Sequence, residues 1–179
     1  MRRVFLLLFP VLFLVFQATG QGADRGASKK WLTLKTEGYS IQYPGDWEVD
    51  QSGNMGTKFY LFSPVTSEED QLRENVNLLT QDLSEYKMTL DEFIELTEEQ
   101  VKSMLTNGQL LQSERIKNKK GEYHKLIYSG DMEPFLLTFE QYCWVIGDTS
   151  YILTLTCETG TFEQYQKTGE RILNSFKLR

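Results

Sequence analysis

Pro134-Phe135-Leu136-Leu137-Thr138-Phe139-Glu140-Gln141-Tyr142-Cys143-Trp144-Val145-Ile146, then Gly147-Asp148-Thr149-Ser150, then Tyr151-Ile152-Leu153-Thr154-Leu155-Thr156-Cys157, is the stretch on which the fold turns. Two apolar runs around a short polar loop read as one β-hairpin. Leu136, Tyr142, Trp144, Leu153 and Leu155 fall on one face, and Phe135, Leu137, Phe139, Val145 and Ile152 on the other. An antiparallel strand with one wet side alternates apolar with polar residues, and this pair does not, so it is expected to be covered on both sides. With a four-residue loop Ile146 faces Tyr151, Cys143 faces Thr154 and Cys157 faces Glu140, which puts the two thiols on opposite faces. A three-residue loop would share a face but leave them roughly 13 Å out of register, well beyond the Cα separation of about 7 Å that a disulfide tolerates. Both are read as buried thiols serving as small apolar side chains, even where pairing is chemically permitted.

Working toward the N-terminus, Glu122 to Tyr128 and Leu110 to Ile116 are two more strands, with Lys117 to Gly121 and Gly130-Asp131 as separators. Before them lies a helix. Thr89 and Glu92 are spaced as a capping box, and Leu90, Phe93, Ile94, Thr97, Val101, Met104 and Leu105 recur at helical spacing, with Asn107-Gly108 as a left-handed stop. Asn75 to Leu83 and Lys58 to Ser63 read as strands, and Trp47-Glu48-Val49 as a short extended piece. Trp31 to Thr36 and Tyr39 to Tyr43 form a hairpin around Glu37-Gly38. At the other end Thr161 and Gln164 are spaced as a second box, ahead of the stripe Phe162, Tyr165, Gly169, Ile172, Leu173, Phe176. Gly169 in mid-stripe predicts close packing against a neighbouring element. Strands, helix, strands, helix, with no βαβ unit, define an α+β fold: an antiparallel β-sheet covered by helices on its faces.

The first residues carry an address. Arg2-Arg3, the apolar run Val4 to Phe16 and Gln17-Ala18-Thr19-Gly20 have the layout of a cleaved secretory signal with the cut after Gly20. The run is clearly shorter than the roughly 20 apolar residues of a membrane-spanning helix. Arg2-Arg3 has a slight twin-arginine look, but the Leu- and Phe-rich centre favours export of an unfolded chain, and no cysteine near the cut supports a lipid anchor. Residues 21–30 read as a disordered leader and residues 31–179 as one domain, a length that buries roughly 70% of the unfolded surface. Without residues 1–20 the chain has 17 basic and 25 acidic residues, a net of −8. Such a chain has no general attraction for nucleic acid or anionic lipid.

Tyr39-Ser40-Ile41-Gln42-Tyr43-Pro44-Gly45-Asp46-Trp47, the helix after the early strands and the closing Ile172-Leu173-Asn174-Ser175-Phe176 resemble the PsbP-like superfamily over about residues 31 to 179. That superfamily includes the extrinsic oxygen-evolving protein of photosystem II, shares its fold with a small nuclear Ran-binding protein and has exported bacterial cell-envelope members. The resemblance implies the PsbP-like α/β/α sandwich. It transfers no manganese, calcium or chloride site, because no matching ligand set is present, and a fold so widely shared carries no function with it. The Tyr-Pro-Gly-Asp-Trp element has a structural explanation. Pro44 presets φ for a turn, Gly45 tolerates positive φ, and Trp47 closes over the end of the core.

Chemistry-bearing patterns are sparse. The single histidine, His124, sits in a strand without a nucleophile elbow, and one histidine with two separated thiols falls short of a zinc set. Asp91, Glu92, Glu95, Glu98 and Glu99 form the solvated side of the first helix. Neither Asp46 and Asp50 near Gly45 nor Glu68-Glu69-Asp70 matches a calcium loop, and phosphate-binding glycine motifs are missing. Lys117-Asn118-Lys119-Lys120-Gly121 reads as a solubilising hairpin tip. No catalytic residue, metal ligand or cofactor is therefore assigned. Trp47, Tyr142 and Trp144 are the candidate contact residues, the latter two sharing a face that could line a pocket. The expected function is an exported, periplasmic or secreted, non-catalytic accessory or binding domain of the bacterial cell envelope. It would act on another envelope protein, without nucleic acid and without a stable membrane anchor after cleavage. The alternative is a carrier of small apolar ligands with a pocket between the sheet and helix 90–105. The sequence carries no signal of oligomeric state.

Overall fold

The computed structural model describes residues 30–67, 70–118 and 121–179. The signal segment and nearly all of the leader lie outside the described residues, as do residues 68–69 and 119–120 of the two charged loops. The chain runs β1 (Trp31–Lys35), β2 (Tyr39–Pro44), β3 (Glu48–Asp50), β4 (Thr57–Phe62), β5 (Asn75–Asp82), α1 (Leu90–Met104), β6 (Thr106–Asn118), β7 (Gly121–Met132), β8 (Phe135–Ile146), β9 (Thr149–Glu158), α2 (Phe162–Ser175) and β10 (Lys177–Leu178). A seven-stranded sheet has the order β3-β4-β5-β9-β8-β7-β6, and a three-stranded one the order β1-β2-β10. Every pairing is antiparallel. The α+β class follows directly.

β8 and β9 occupy the interior of the large sheet, and their alternate residues feed two separate cores. Leu137, Phe139, Cys143 and Ile152 pack with Phe93, Ile94 and Val101 of α1. Tyr142, Leu153, Leu155 and Cys157 pack with Ile172 and Leu173 of α2 and with Ile41 of β2. Both faces of the hairpin are covered, as the double apolar pattern requires, although Leu136 remains half exposed. The register differs from expectation: Ile146 pairs with Thr149, Cys143 with Ile152 and Cys157 with Thr138. The loop is only Gly147-Asp148, and Gly147 adopts φ 58°. Two-residue turns with a left-handed residue match the twist of the strands better than a four-residue loop. The shift of two residues preserves parity, so the thiols stay on opposite faces, and both are free and buried.

Three further expectations are corrected. β7 continues through Gly130-Asp131, because Gly130 lets Leu105 approach; a Cβ there would lie 3.0 Å from Leu105 Cβ. Asn107, at φ 52°, does not stop a helix but lies at the start of β6, where the register against β7 shifts. Gly45 is absent from the positive-φ residues; its requirement is space, since a Cβ would lie 2.7 Å from the Lys30 carbonyl oxygen.

The helices begin differently. At α1 the capping box is complete, with Glu92 N donating to Thr89 Oγ1 (3.3 Å) and Thr89 N donating to Glu92 Oε2 (2.8 Å). At α2 the expected box is not formed, because Thr161 is itself helical in φ and ψ. Its hydroxyl donates instead to Glu74 Oε1 (2.7 Å), while Ser63 Oγ donates to Glu74 Oε2 (3.1 Å). A buried carboxylate thus ties β4, β5 and the positive end of α2 together. Gly169 meets the expectation of close packing: a Cβ there would lie 2.4 Å from Leu155 Cδ2.

Candidate functional site

On the α2 side of the large sheet, β7 and β8 set Lys125 opposite Tyr142, with Tyr123 and Trp144 the next residues of the two strands beyond the His124–Cys143 pair. The alternation that buries Leu126 and Cys143 on the α1 side turns these four side chains toward α2. The Tyr123 and Tyr142 rings stack with centroids 4.7 Å apart, and Tyr123 lies 5.3 Å from Trp144. Phe176, just after α2, approaches Trp144 to 5.4 Å. Between this aromatic floor and the end of α2 lies a pocket of about 330 Å³. Leu173 and Leu178 complete its apolar wall, and Asn118, Asn174 and Lys177 bring polar groups to it. Half-exposed Ile146 borders it as well.

Tyr142 and Trp144, two of the three candidate contact residues, therefore line one pocket. Trp47 does not; its ring is buried edge-on against Tyr165, and its backbone N–H donates to the Pro44 carbonyl across the turn. The pocket lies on the α2 face, not between the sheet and helix 90–105, where Phe93, Ile94 and Val101 fill a buried core. Sequence reading had no access to Phe176 and Leu178 as wall residues, because β10 is a two-residue strand docked on β2.

Behind the aromatic floor sits a charged group that the sequence reading passed over. Glu140 is fully buried in β8, and Lys125 Nζ lies 2.8 Å from its Oε1 and 3.0 Å from Glu170 Oε1 of α2. Burial raises the Glu140 pKa, more than the bond to Lys125 lowers it. Burial works against the Lys125 ammonium, but its bonds to Glu140 and Glu170 prevail and its pKa is raised. The Tyr142 hydroxyl is pushed far above the ordinary phenol range by burial, with Glu140 adding to the effect. The signal available in the sequence was Glu140 itself, the one charge in a largely apolar run.

His124 faces the α1 side. Its Nε2 lies 2.7 Å from Ser113 Oγ, whose hydroxyl also donates to Glu98. With the single Ser113 hydrogen directed at Glu98, the His124 nitrogen is the donor in that pair rather than a base acting on Ser113. Burial, then Arg115, lower the His124 pKa. The cluster joins α1 to β6 and β7. Among the described residues no group of three or more His, Cys, Asp or Glu side chains is placed to hold a metal ion. No described helix is long and apolar enough to cross a membrane.

An antiparallel sheet with one helix in each core, the Tyr-Pro-Gly-Asp-Trp turn and a closing helix against the sheet define a PsbP-like domain. The chain belongs to the PsbP-like protein family, whose model matches residues 20–178. Among solved structures, cyanobacterial PsbP (CyanoP) from Synechocystis sp. PCC 6803 is similar with a TM-score of 0.60 at 13% identity, covering 90% of this chain and 99% of that one. PA94 from Pseudomonas aeruginosa, a protein of unknown function described as a putative regulator, reaches 0.58 at 12% identity and covers 81% and 94%. LpqN of Mycobacterium tuberculosis, described as involved in cell envelope biogenesis, reaches 0.57 at 10% identity and covers 85% and 92%. These likenesses show a shared fold. No curated protein sequence matches the chain.

Proposed function

We propose that this protein is an exported, non-catalytic accessory domain of the bacterial cell envelope, which receives an apolar group of a partner protein in the pocket over Tyr123, Tyr142 and Trp144. The observation that carries the reading is that pocket: an aromatic-walled opening of about 330 Å³ beside the two buried cores. The layout of residues 1–20 supports export. The envelope role named for LpqN is consistent with it. The α/β/α arrangement is read from α1 and α2 belonging to different cores on alternate residues of β8 and β9. Two measurements test the reading. Cell fractionation with mass analysis is expected to find a chain beginning at Gln21 outside the cytoplasm, and an unprocessed cytoplasmic chain would overturn export. A photo-crosslinking residue at Asn174, beside the pocket, is expected to capture a discrete envelope protein that the same residue at Glu85 does not. Identical adducts from both positions, or none from Asn174, would overturn the docking role.

The size of the pocket favours a second reading, a small-ligand carrier, since ligand pockets run from about 300 Å³ upward and are mostly apolar with a few polar groups. In this reading the ligand enters between β7, β8 and the end of α2, rather than beneath α1.

A further inference from the structure

We propose that the pocket selects small anionic amphiphiles: a planar apolar body stacked on the Tyr123, Tyr142, Trp144 and Phe176 rings, with an acid group paired to Lys177. This rests on the carrier reading and adds the charge and shape of the ligand. Shape comes from the walls. Successive ring centroids, Tyr142 to Tyr123, Tyr123 to Trp144 and Trp144 to Phe176, lie 4.7, 5.3 and 5.4 Å apart, which makes a continuous aromatic wall, and aromatic bodies pack against such rings in offset or tilted arrangements. A dry cavity of about 150 Å³ takes a benzene ring, so about 330 Å³ suits a body of two rings.

Charge comes from what is already paired. Two acids beside the floor, Glu140 and Glu170, are both engaged by Lys125. Lys177 lines the pocket and, among the described residues, has no carboxylate within ion-pair distance. The cation available to an occupant is therefore Lys177, in a chain whose net charge is −6. General electrostatics repel anions from such a molecule, so anion preference would have to come from this local contact. An ammonium–acid hydrogen bond is charge-assisted and directional. The side chain's exposure limits its contribution to a several-fold effect.

The test uses two dyes that share a ring system: anilinonaphthalene sulfonate, which is anionic, and phenylnaphthylamine, which is neutral. Titrated against the native mature protein, both are expected to bind saturably, with energy transfer from tryptophan and tighter binding of the sulfonate. Lys177→Gln should weaken the sulfonate roughly three- to tenfold and leave the neutral dye unchanged, while Lys177→Arg should retain the preference. Ile146→Trp, a substitution at a half-exposed position that fills the pocket from its border, should weaken both dyes, with far-UV dichroism and thermal melting confirming the fold. If Lys177→Gln leaves the ratio of the two affinities unchanged, charge selection is overturned and the carrier reading stands. If neither dye binds, or Ile146→Trp leaves both unaffected, the pocket is not a site for such ligands and both ideas fail together.

Discussion

Lys125 Nζ stands 2.8 Å from Glu140 Oε1, a carboxylate with no exposed surface, and that pair is held in the interior of the sheet under α2. Removing the cation leaves a buried charge without its partner, which costs about 3–5 kcal/mol. Lys125→Met is therefore expected to lower stability by that order at neutral pH. The pH dependence follows from the raised Glu140 pKa. Its contribution is fully present below the ordinary carboxylate range and is lost as pH rises through the elevated value. The penalty of Lys125→Met should consequently shrink at mildly acidic pH, where Glu140 takes up a proton. Urea unfolding at both pH values checks this, and an equal penalty at each would count against it. Lys125, with its raised pKa, should contribute through the neutral range and cease to do so only as alkaline pH passes that value.

Gly169 should be intolerant of even one added carbon. Alanine in a helix gains up to about 1 kcal/mol over glycine, but the new Cβ would lie 2.4 Å from Leu155 Cδ2 and 3.1 Å from Cγ. Overpacking a buried contact costs about 1–3 kcal/mol. Gly169→Ala is expected to be destabilising on balance, and Leu155→Ala in the same chain should recover part of the loss. Strict additivity of the two substitutions would argue that the contact is not what limits residue 169.

The two helix starts should respond differently to loss of a threonine hydroxyl. Thr89→Ala removes a solvent-exposed cap, a change worth about 1 kcal/mol. The hydrogen bonds from Thr89 that lower the Glu92 pKa have the opposite pH sign from Glu140. Their stabilisation is present above the ordinary carboxylate range and lost as pH falls through the lowered value. Thr161→Ala removes a donor to nearly buried Glu74, and a buried acceptor left short of a partner costs about 1–3 kcal/mol. Chemical unfolding of the two variants should rank Thr161→Ala as the more damaging.

The two thiols should be silent in the native protein. Burial raises both, Cys143 up to about 12, so almost no thiolate forms near neutral pH. A disulfide-exchange reagent is expected to find no reactive thiol in the native chain and two in denaturant without reductant. Absence of free thiol after denaturation would show a disulfide and refute the hairpin register.

Most of the local architecture was legible in the sequence, and the errors have identifiable sources. The two cores, the complete cap at Thr89 and the close approach at Gly169 follow from side-chain period and local chemistry. The Thr161-Gln164 box has the right spacing but loses to Glu74, an acceptor distant in sequence, which takes the Thr161 hydroxyl. Gly130-Asp131 looks like a turn because a glycine signals either a bend or a close neighbour, and Leu105 supplies the neighbour. Of the candidate contact residues, Tyr142 and Trp144 share a pocket because residues two apart share a face. Trp47 is drawn into the core beside Tyr165.

The sequence by itself determined the two helices and every strand but β10, that β8 and β9 are covered on both faces, and that Cys143 and Cys157 do not pair. These depend on a two-residue period, and a loop misjudged by two residues leaves every face unchanged. Tertiary structure alone decided the strand order, the docking of Lys177–Leu178 on β2, the pocket closed by Phe176 and the Lys125–Glu140–Glu170 group. Each of these joins residues far apart in the chain. Their meeting depends on how the sheets and helices pack against one another, which no local pattern of residues encodes.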